Sequence, residues 1–200
     1  MRLASRLKRS LALCVGLALP ATLPAYGQDA ATGPRPAPFE RGAVGIELSL
    51  GTYVESWNLN SNGREWLVDG GFSVWWAPVD RATLLVEFHA TRVFQTSLRN
   101  AFVTGLVPIV RLQVLDRLPW GLFAEAGLGP SWSDTAVPAG GTRFNYLALA
   151  GLGVSRRVAR HTSATVGFRW MHVSNNGREG HDRNPDIQGL GGVGAVSVAF

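Results

Sequence analysis

Residues 43–51 read AVGIELSLG, a stretch in which every second side chain is apolar. Aliphatic residues occupy positions 44, 46, 48 and 50, while glycine, glutamate and serine lie between them. Successive side chains of a β-strand point to opposite faces, so a period of two predicts one apolar face and one small or charged face. The same alternation recurs within residues 82–94, 120–131 and 162–174. The sequence therefore predicts an all-β fold.

Segments of this kind recur along the rest of the chain. Each spans about 9–13 residues, the length that a tilted strand needs to cross a bilayer. An even number of strands, joined alternately by short and long connections, is typical of outer-membrane barrels with tight periplasmic turns. The predicted strands are residues 43–54, 66–76, 82–94, 104–114, 120–131, 143–154, 162–174 and 188–200. We therefore expect an eight-stranded antiparallel up-and-down transmembrane β-barrel over residues 43–200.

The direction in which the apolar side chains point distinguishes two kinds of barrel. In a membrane barrel they face the lipid, and the small and charged side chains fill a narrow lumen. A soluble periplasmic lipid-binding barrel has the opposite lining, with a ligand cavity inside. We favour the membrane barrel and expect its buried charges to pair. The lumen would then hold Glu47, Glu87, His89, Glu125 and Arg169.

The N-terminal region has the composition of a leader followed by a linker. Residues 2–9 contain four basic residues and no acidic one, and an apolar run follows over residues 11–24. Ala25-Tyr26-Gly27 then places small residues on both sides of Tyr26, before a cleavage point at Gln28. This order predicts a secretory signal peptide over residues 1–27. The proline-rich residues 28–42 predict a mobile N-terminal tail.

Charge and cysteine content exclude several classes of function. Four of the 19 basic residues precede Gln28 and all 14 acidic residues follow it, so the remaining chain carries a net charge of only +1. A basic surface for nucleic acid is therefore not predicted. The single cysteine, Cys14, lies in the predicted leader. The mature chain would then have no disulfide, no cysteine nucleophile and no cysteine-bound metal.

The end of the seventh predicted strand carries residues suited to ester hydrolysis. His172 and Ser174 are two positions apart, so they share one strand face, and their parity matches the apolar, lipid-facing Phe168. A serine nucleophile needs a base within hydrogen-bond reach, and a neutral histidine can be that base. The side chain of Asn175 and the backbone of the Asn175–Gly177 turn offer N–H groups to an oxyanion.

The His-x-Ser spacing is weakly specific by itself. A Ser-Asn-Asn-Gly turn beside an incidental histidine at the membrane interface would have the same sequence. Further blocks across the chain add specificity. These blocks are Pro108–Arg111, Phe123–Gly129, Phe144–Tyr146, Gly151–Gly153, Phe168-Arg169, His172–Asn175 and Asn184-Pro185.

Together these blocks resemble the lipid A 3-O-deacylase family of the PagL type. The resemblance implies an enzyme that hydrolyses the ester-linked 3-hydroxyacyl chain at the 3-position of lipid A, with its active site at the outer leaflet. It implies Ser174 as nucleophile, His172 as base and Asn175 as oxyanion-hole donor. Such chemistry uses no cofactor and no metal. A homodimer is possible in this family.

One position departs from the family pattern. The third member of the family's triad is an acid at the start of the last strand, and Gln188 occupies that position here. An amide can accept a hydrogen bond from the imidazole but cannot offset an imidazolium charge, and such a change can cost about 10⁴ in turnover. Asp186 has the same strand parity as Gln188, so it is the first candidate to substitute. Glu179 and Asp182 lie in the same loop.

Two alternatives to the enzyme remain open. One is a catalytically silent structural or adhesive barrel, which has kept the fold and lost the acid. The other is the soluble periplasmic lipid-binding barrel described above.

Tryptophans and arginines near strand ends predict how such a barrel would meet the membrane surface. Tryptophan at both interfaces is typical of aromatic girdles. Arginines beside the outer loops could contact lipid phosphates, although solvated loop charges are the simpler interpretation. The tryptophans are Trp57, Trp66, Trp75, Trp76, Trp120, Trp132 and Trp170. The arginines are Arg64, Arg99, Arg143, Arg178 and Arg183.

Overall fold

The computed structural model describes residues 39–56, 64–117 and 119–200. Over these residues, eight strands pair in sequence order and close into an antiparallel barrel. The predicted leader, residues 28–38 of the predicted tail, and Trp57 lie outside the described residues. No helix within the described part is long and apolar enough to span a membrane.

The eight strands are β1 (Val44–Glu55), β2 (Trp66–Val79), β3 (Ala82–Phe94), β4 (Ala101–Arg117), β5 (Trp120–Val137), β6 (Thr142–Ala159), β7 (Thr162–Ser174) and β8 (Ile187–Ala199). One short 3₁₀ turn, His181–Arg183, lies between β7 and β8. Ladder pairs from Gly45 with Ala199 to Glu55 with Gly189 join β1 to β8 and close the barrel. The predicted fold class and strand number are confirmed.

Strands β4, β5 and β6 are longer than their sequence patterns predicted. The predicted loop over residues 132–142 is mostly strand, because β5 continues to Val137 and β6 begins at Thr142. A tight turn with Gly140 in the left-handed region joins them, at a φ of 84° that glycine adopts without steric cost. Polar and small residues fill both sides of this extension, so the apolar alternation that marks a strand is absent there.

The lining of the barrel is that of a membrane protein. The side chains of Val166 and Leu152 point outward and are 72% and 63% exposed, whereas Glu87 is 0% exposed inside. A soluble lipid-binding barrel would need the opposite arrangement, so that alternative is wrong. Trp75 also faces the lumen and is buried, which corrects its predicted place in an aromatic girdle. Its parity within β2 is opposite to that of the exposed Trp76.

Two buried arginines form the centre of an ion-pair network in the lumen. Arg111 binds both carboxylate oxygens of Glu47, at 2.8 and 2.9 Å, and reaches Glu125 through Nε at 2.9 Å. Arg169 binds the other Glu125 oxygen at 2.6 Å and Glu87 at 3.1 Å. These contacts join β1, β3, β4, β5 and β7. Because neither carboxylates nor guanidinium groups are left unpaired, the charges can be buried together.

The network continues from Glu87 toward the end of the barrel at which β7 terminates. Nε2 of His89 lies 2.8 Å from Glu87, and Nδ1 lies 3.0 Å from Asp69. Thr91 donates a hydrogen bond to the second oxygen of Asp69 at 2.5 Å. The prediction that His89 packs in the lumen is confirmed. Its side chain connects two carboxylates on neighbouring strands.

Residues 39–42 of the predicted tail contact the opposite end of the barrel. The ring of Phe39 lies 5.4 Å from that of Trp75, measured between centroids. The backbone N–H of Gly42 donates to the carbonyl of Ala77 at 2.7 Å. The segment that leads into β1 therefore lies against the end of the barrel opposite to that at which β7 terminates.

We predict that Glu125→Ala destabilises the barrel strongly. The substitution leaves Arg111 and Arg169 each without one of its carboxylate partners in a buried site, and breaking a buried pair costs about 3–5 kcal/mol. Urea unfolding in detergent micelles, followed by tryptophan fluorescence, measures the free energy of unfolding.

The matched control is Glu179→Ala, which removes an exposed ion pair to Arg183 of 2.7 Å. Exposed pairs contribute about 0–1 kcal/mol, so this variant should unfold close to the parent protein. Equal unfolding free energies for Glu125→Ala and the parent would show that the network does not hold the strands together.

Candidate active site

The last residues of β7 place a histidine and a serine together on the outer surface of the barrel. Met171 and Val173 point into the lumen and are buried, so His172 and Ser174 point outward on the same side as the exposed Phe168. Nε2 of His172 lies 2.9 Å from Oγ of Ser174. This is the distance at which a neutral imidazole can accept the hydroxyl proton. Despite facing outward, Ser174 is only 7% exposed.

The end of the barrel at which β7 terminates and β8 begins is called the site rim below. The buried carboxylate of Asp186 lies at this rim, near the ring nitrogen of His172 that does not contact Ser174. Oδ2 of Asp186 is 3.8 Å from Nδ1 of His172, which is ion-pair distance but longer than a hydrogen bond. Asp186 immediately precedes β8, and within the ladder His172 lies directly opposite Gln188. The closure of β8 onto β7 therefore brings the carboxylate to the histidine.

Gln188 bonds to groups on both sides of the histidine. Its Nε2 donates to Oδ2 of Asp186 at 2.6 Å, and its Oε1 accepts from Nε1 of Trp170 at 2.8 Å. The rings of Trp170 and His172 are stacked, with centroids 5.7 Å apart and planes inclined by 11°. The imidazole of His172 thus lies between the indole of Trp170 and the carboxylate of Asp186. Gln188 donates a hydrogen bond to that carboxylate. The sequence pattern did not predict that Trp170 stacks on the imidazole of His172.

Asn175 is the first residue of the loop after β7, and its side chain is buried and fully bonded. Its amide nitrogen donates to the carbonyl of Arg183 at 2.5 Å and to Oγ1 of Thr142 at 3.2 Å. Its amide oxygen accepts from the N–H of Gly177 at 2.9 Å. The backbone N–H of Asn175 donates to Oδ1 of Asn184 at 3.1 Å. Asn175 therefore anchors the loop, and its role as oxyanion donor stays a prediction.

The loop chain reverses directly after Asn175. Asn176 and Gly177 both adopt the left-handed region, with φ of 56° and 71°. Asparagine and glycine are the residues that tolerate this conformation best. Together with the bond between Asn175 and Asn184, this turn folds residues 175–186 back on themselves and delivers Asp186 to the site.

A row of outward-facing aromatic side chains borders Ser174. Tyr146 of β6 is the ladder partner of Ser174. The ring centroids of Tyr146 and Phe144 are 5.4 Å apart, and those of Phe144 and Trp132 are 6.4 Å apart. We call Trp132, Phe144 and Tyr146 the aromatic row. Its position at the site rim agrees with the predicted interfacial role of Trp132.

The one group of side chains with metal-ligand geometry found among the described residues lies elsewhere. Donor atoms of Asp69, Glu87 and His89 lie within 4.8 Å of one another in the lumen. Both carboxylates are already bonded, to Thr91 and to Arg169 respectively. The arrangement is that of an ion-pair network, and it lies on the opposite side of the barrel wall from the outward-facing Ser174.

Comparisons with known proteins identify the family of this chain. A family model described as lipid A 3-O-deacylase (PagL) matches residues 41–188, which include every proposed site residue. The chain is similar in structure to the outer membrane protein OprG from Pseudomonas aeruginosa, with 10% identity and a TM-score of 0.53, covering 82% of this chain and 99% of that one. It is also similar to the outer membrane enzyme PagL, with 16% identity and a TM-score of 0.52, covering 74% and 97% respectively. No individually curated protein matches the sequence.

At these identities the two structural likenesses show the fold alone, and the family assignment depends on the sequence model. That model spans most of the barrel, including all of β7 and the first two residues of β8. The chain therefore belongs to the PagL lipid A 3-O-deacylase family of outer-membrane β-barrels.

Proposed function

We propose that this protein hydrolyses the ester-linked 3-hydroxyacyl chain at the 3-position of lipid A, with Ser174 as nucleophile and His172 as base. The observation that carries the proposal is the 2.9 Å contact between Nε2 of His172 and Oγ of Ser174, on the lipid-facing surface at the site rim. A polar pair there is costly in a bilayer and has no structural purpose, so a functional role explains it best.

The reaction follows from this geometry in two halves. Nε2 of His172 takes the proton of Ser174 as Oγ attacks the ester carbonyl, which forms a tetrahedral oxyanion. The intermediate collapses, the sugar hydroxyl leaves with the proton from His172, and the acyl chain stays on Ser174. A water molecule, deprotonated by the same nitrogen, then attacks the acyl carbonyl. Oγ of Ser174 leaves with that proton, and the 3-hydroxy fatty acid is released. The other product is lipid A with one acyl chain fewer.

The outward position of the pair suits a substrate that never leaves the membrane. Phe168 lies two residues before Trp170 on the same face and is exposed to lipid, so an acyl chain in the leaflet could reach Ser174 by lateral diffusion. With the N-terminus in the periplasm, β7 runs outward and ends at the outer leaflet. This is the leaflet in which lipid A resides.

Asp186 is the group best placed to stabilise the imidazolium formed during attack. It lies 3.8 Å from Nδ1 of His172, and a movement of about 1 Å would make a hydrogen bond, as catalytic contacts often tighten when substrate binds. Gln188 occupies the position of the family acid but bonds to Asp186. We therefore assign the charge-stabilising role to Asp186 and a positioning role to Gln188.

One prediction of this proposal concerns the nucleophile. Cells that express this chain should lose one 3-hydroxyacyl group from lipid A, and cells that express Ser174→Ala should not, because Ser174 carries the hydroxyl that contacts Nε2 of His172. Mass spectrometry of extracted lipid A measures the difference. Ser97→Ala, in an exposed loop at the same rim, is the matched control and should behave as the parent.

Folding of each variant is checked by its heat-modifiable migration in detergent gels. If the parent and Ser174→Ala give identical lipid A while both are folded in the outer membrane, the chain is a catalytically silent barrel.

The second prediction concerns the acid. Asp186→Asn should lower kcat by about 10²–10⁴-fold, because the amide cannot offset the imidazolium charge. The double variant Asp186→Asn/Gln188→Glu should recover part of that loss, since it returns a carboxylate to the residue opposite His172 in the ladder. Single-turnover assays in detergent micelles measure the chemical step.

Gln188→Ala keeps the carboxylate of Asp186 and removes the hydrogen bonds that Gln188 makes to Asp186 and Trp170, so its loss of kcat should be smaller than that of Asp186→Asn. Full activity of Asp186→Asn together with a large loss in Gln188→Ala would reverse the two roles.

A further inference from the structure

Arg178 is linked through one side chain to the strand position opposite Ser174, the proposed nucleophile. Its Nη1 donates a hydrogen bond to the hydroxyl of Tyr146 at 3.1 Å, and Tyr146 is the ladder partner of Ser174. Side chains of directly opposed residues on one face of an antiparallel pair lie about 5 Å apart at Cβ. The guanidinium of Arg178 therefore lies one tyrosine side chain away from the strand position of Ser174.

A second arginine lies along the same aromatic row. The guanidinium carbon of Arg178 is 5.2 Å from the ring centroid of Phe144, and that of Arg143 is 5.5 Å from the centroid of Trp132. Nε of Arg143 donates to the carbonyl of Ser133 at 3.0 Å. Aromatic residues of a membrane barrel mark the level of the lipid headgroups. Two guanidinium groups held on them lie at the depth of headgroup phosphates.

Arg143 and Arg178 differ from Arg183, another arginine of the site rim, in their electrostatic partners. Within the described ranges, neither Arg143 nor Arg178 has a carboxylate within the 4.0 Å of an ion pair, whereas Arg183 is bound to Glu179 at 2.7 Å. Each therefore keeps guanidinium N–H groups that can donate hydrogen bonds to an anion. Arginine forms forked hydrogen bonds with phosphate that match its planar geometry.

A cavity of about 260 Å³ lies beside Arg178. It is lined by Thr142, Phe144, Asn175, Arg178 and Glu179. Glu179 is the one acid of the lining, and its carboxylate is bound by Arg183. The cavity is much larger than the roughly 30 Å³ share of one water molecule, and it begins at the residue that follows Ser174.

We infer that Arg178, assisted by Arg143, binds a phosphate monoester on the sugar of the glycolipid whose acyl ester is presented to Ser174. This inference rests on the proposed function and adds a residue that determines specificity. Binding the phosphate would fix the sugar at the rim and orient one ester toward Oγ of Ser174. Uncharged acyl sugars would bind the same apolar surface without that orientation.

The experiment measures binding in the Ser174→Ala background, so it does not depend on turnover. The two ligands are 2,3-diacylglucosamine 1-phosphate and the same glycolipid without its phosphate, titrated into the protein in neutral detergent. We expect the phosphorylated ligand to bind about tenfold more tightly, as one charge-assisted contact permits. Adding Arg178→Gln should remove this preference, and adding Arg143→Gln should reduce it.

Two control variants separate phosphate binding from other roles of Arg178. Arg99→Gln makes the same change of charge in the exposed loop between β3 and β4 at the same rim and should keep the preference. Tyr146→Phe removes the hydrogen bond that holds the guanidinium but leaves its charge, and should keep most of it. A preference that survives Arg178→Gln overturns the inference. An equal weakening of both ligands also overturns it, because that result would indicate a structural role for Arg178.

Failure of the proposed function has a different signature. If the parent protein leaves lipid A intact while the Ser174→Ala form still prefers the phosphorylated ligand through Arg178, the phosphate site stands and the hydrolase does not.

Discussion

The rest of the structure depends on the burial of charged side chains inside a narrow barrel. Side chains fill the lumen of a barrel of this size, so the buried charges pair with one another. Arg111 and Arg169 each bridge carboxylates from different strands, and Glu125 binds both arginines. Burying these groups is tolerable only because each is paired. Placing them inside in turn directs the alternate, apolar side chains of the same strands toward lipid. The polar lumen and the apolar outer surface are two consequences of one alternation.

The site exists because β8 pairs with β7. Ser174 and His172 come from one strand and need only the two-residue repeat to meet. Asp186 and Gln188 come from the start of β8, which reaches β7 by lying between it and β1. The loop that joins β7 to β8 is held by the bond between Asn175 and Asn184. The outward-facing site thus depends on ladder pairing and on a buried asparagine, and the barrel wall separates it from the charged lumen.

The surroundings of the histidine combine lipid-like and polar contacts. Trp170 stacks on the ring while its indole N–H is satisfied by Gln188. The carboxylate of Asp186 is buried, so its charge acts on the imidazole with little screening by solvent. The aromatic row on the other side of Ser174 ends in arginines. A ligand at Ser174 therefore meets an apolar surface below and cationic groups at the rim, which is the order of groups in a phosphorylated glycolipid.

The sequence by itself determined the fold class, the lining of the barrel and the pairing of His172 with Ser174, because all three follow from a period of two that is local to each strand. It left the ends of β5 and β6 undetermined, since polar residues there hide the alternation. It also could not choose between Asp186 and Gln188, or show that Trp170 stacks on the imidazole and that Asn175 bonds to Thr142 and Arg183. Those outcomes depend on the register between neighbouring strands and on the path of the last loop, and only the tertiary structure decides both.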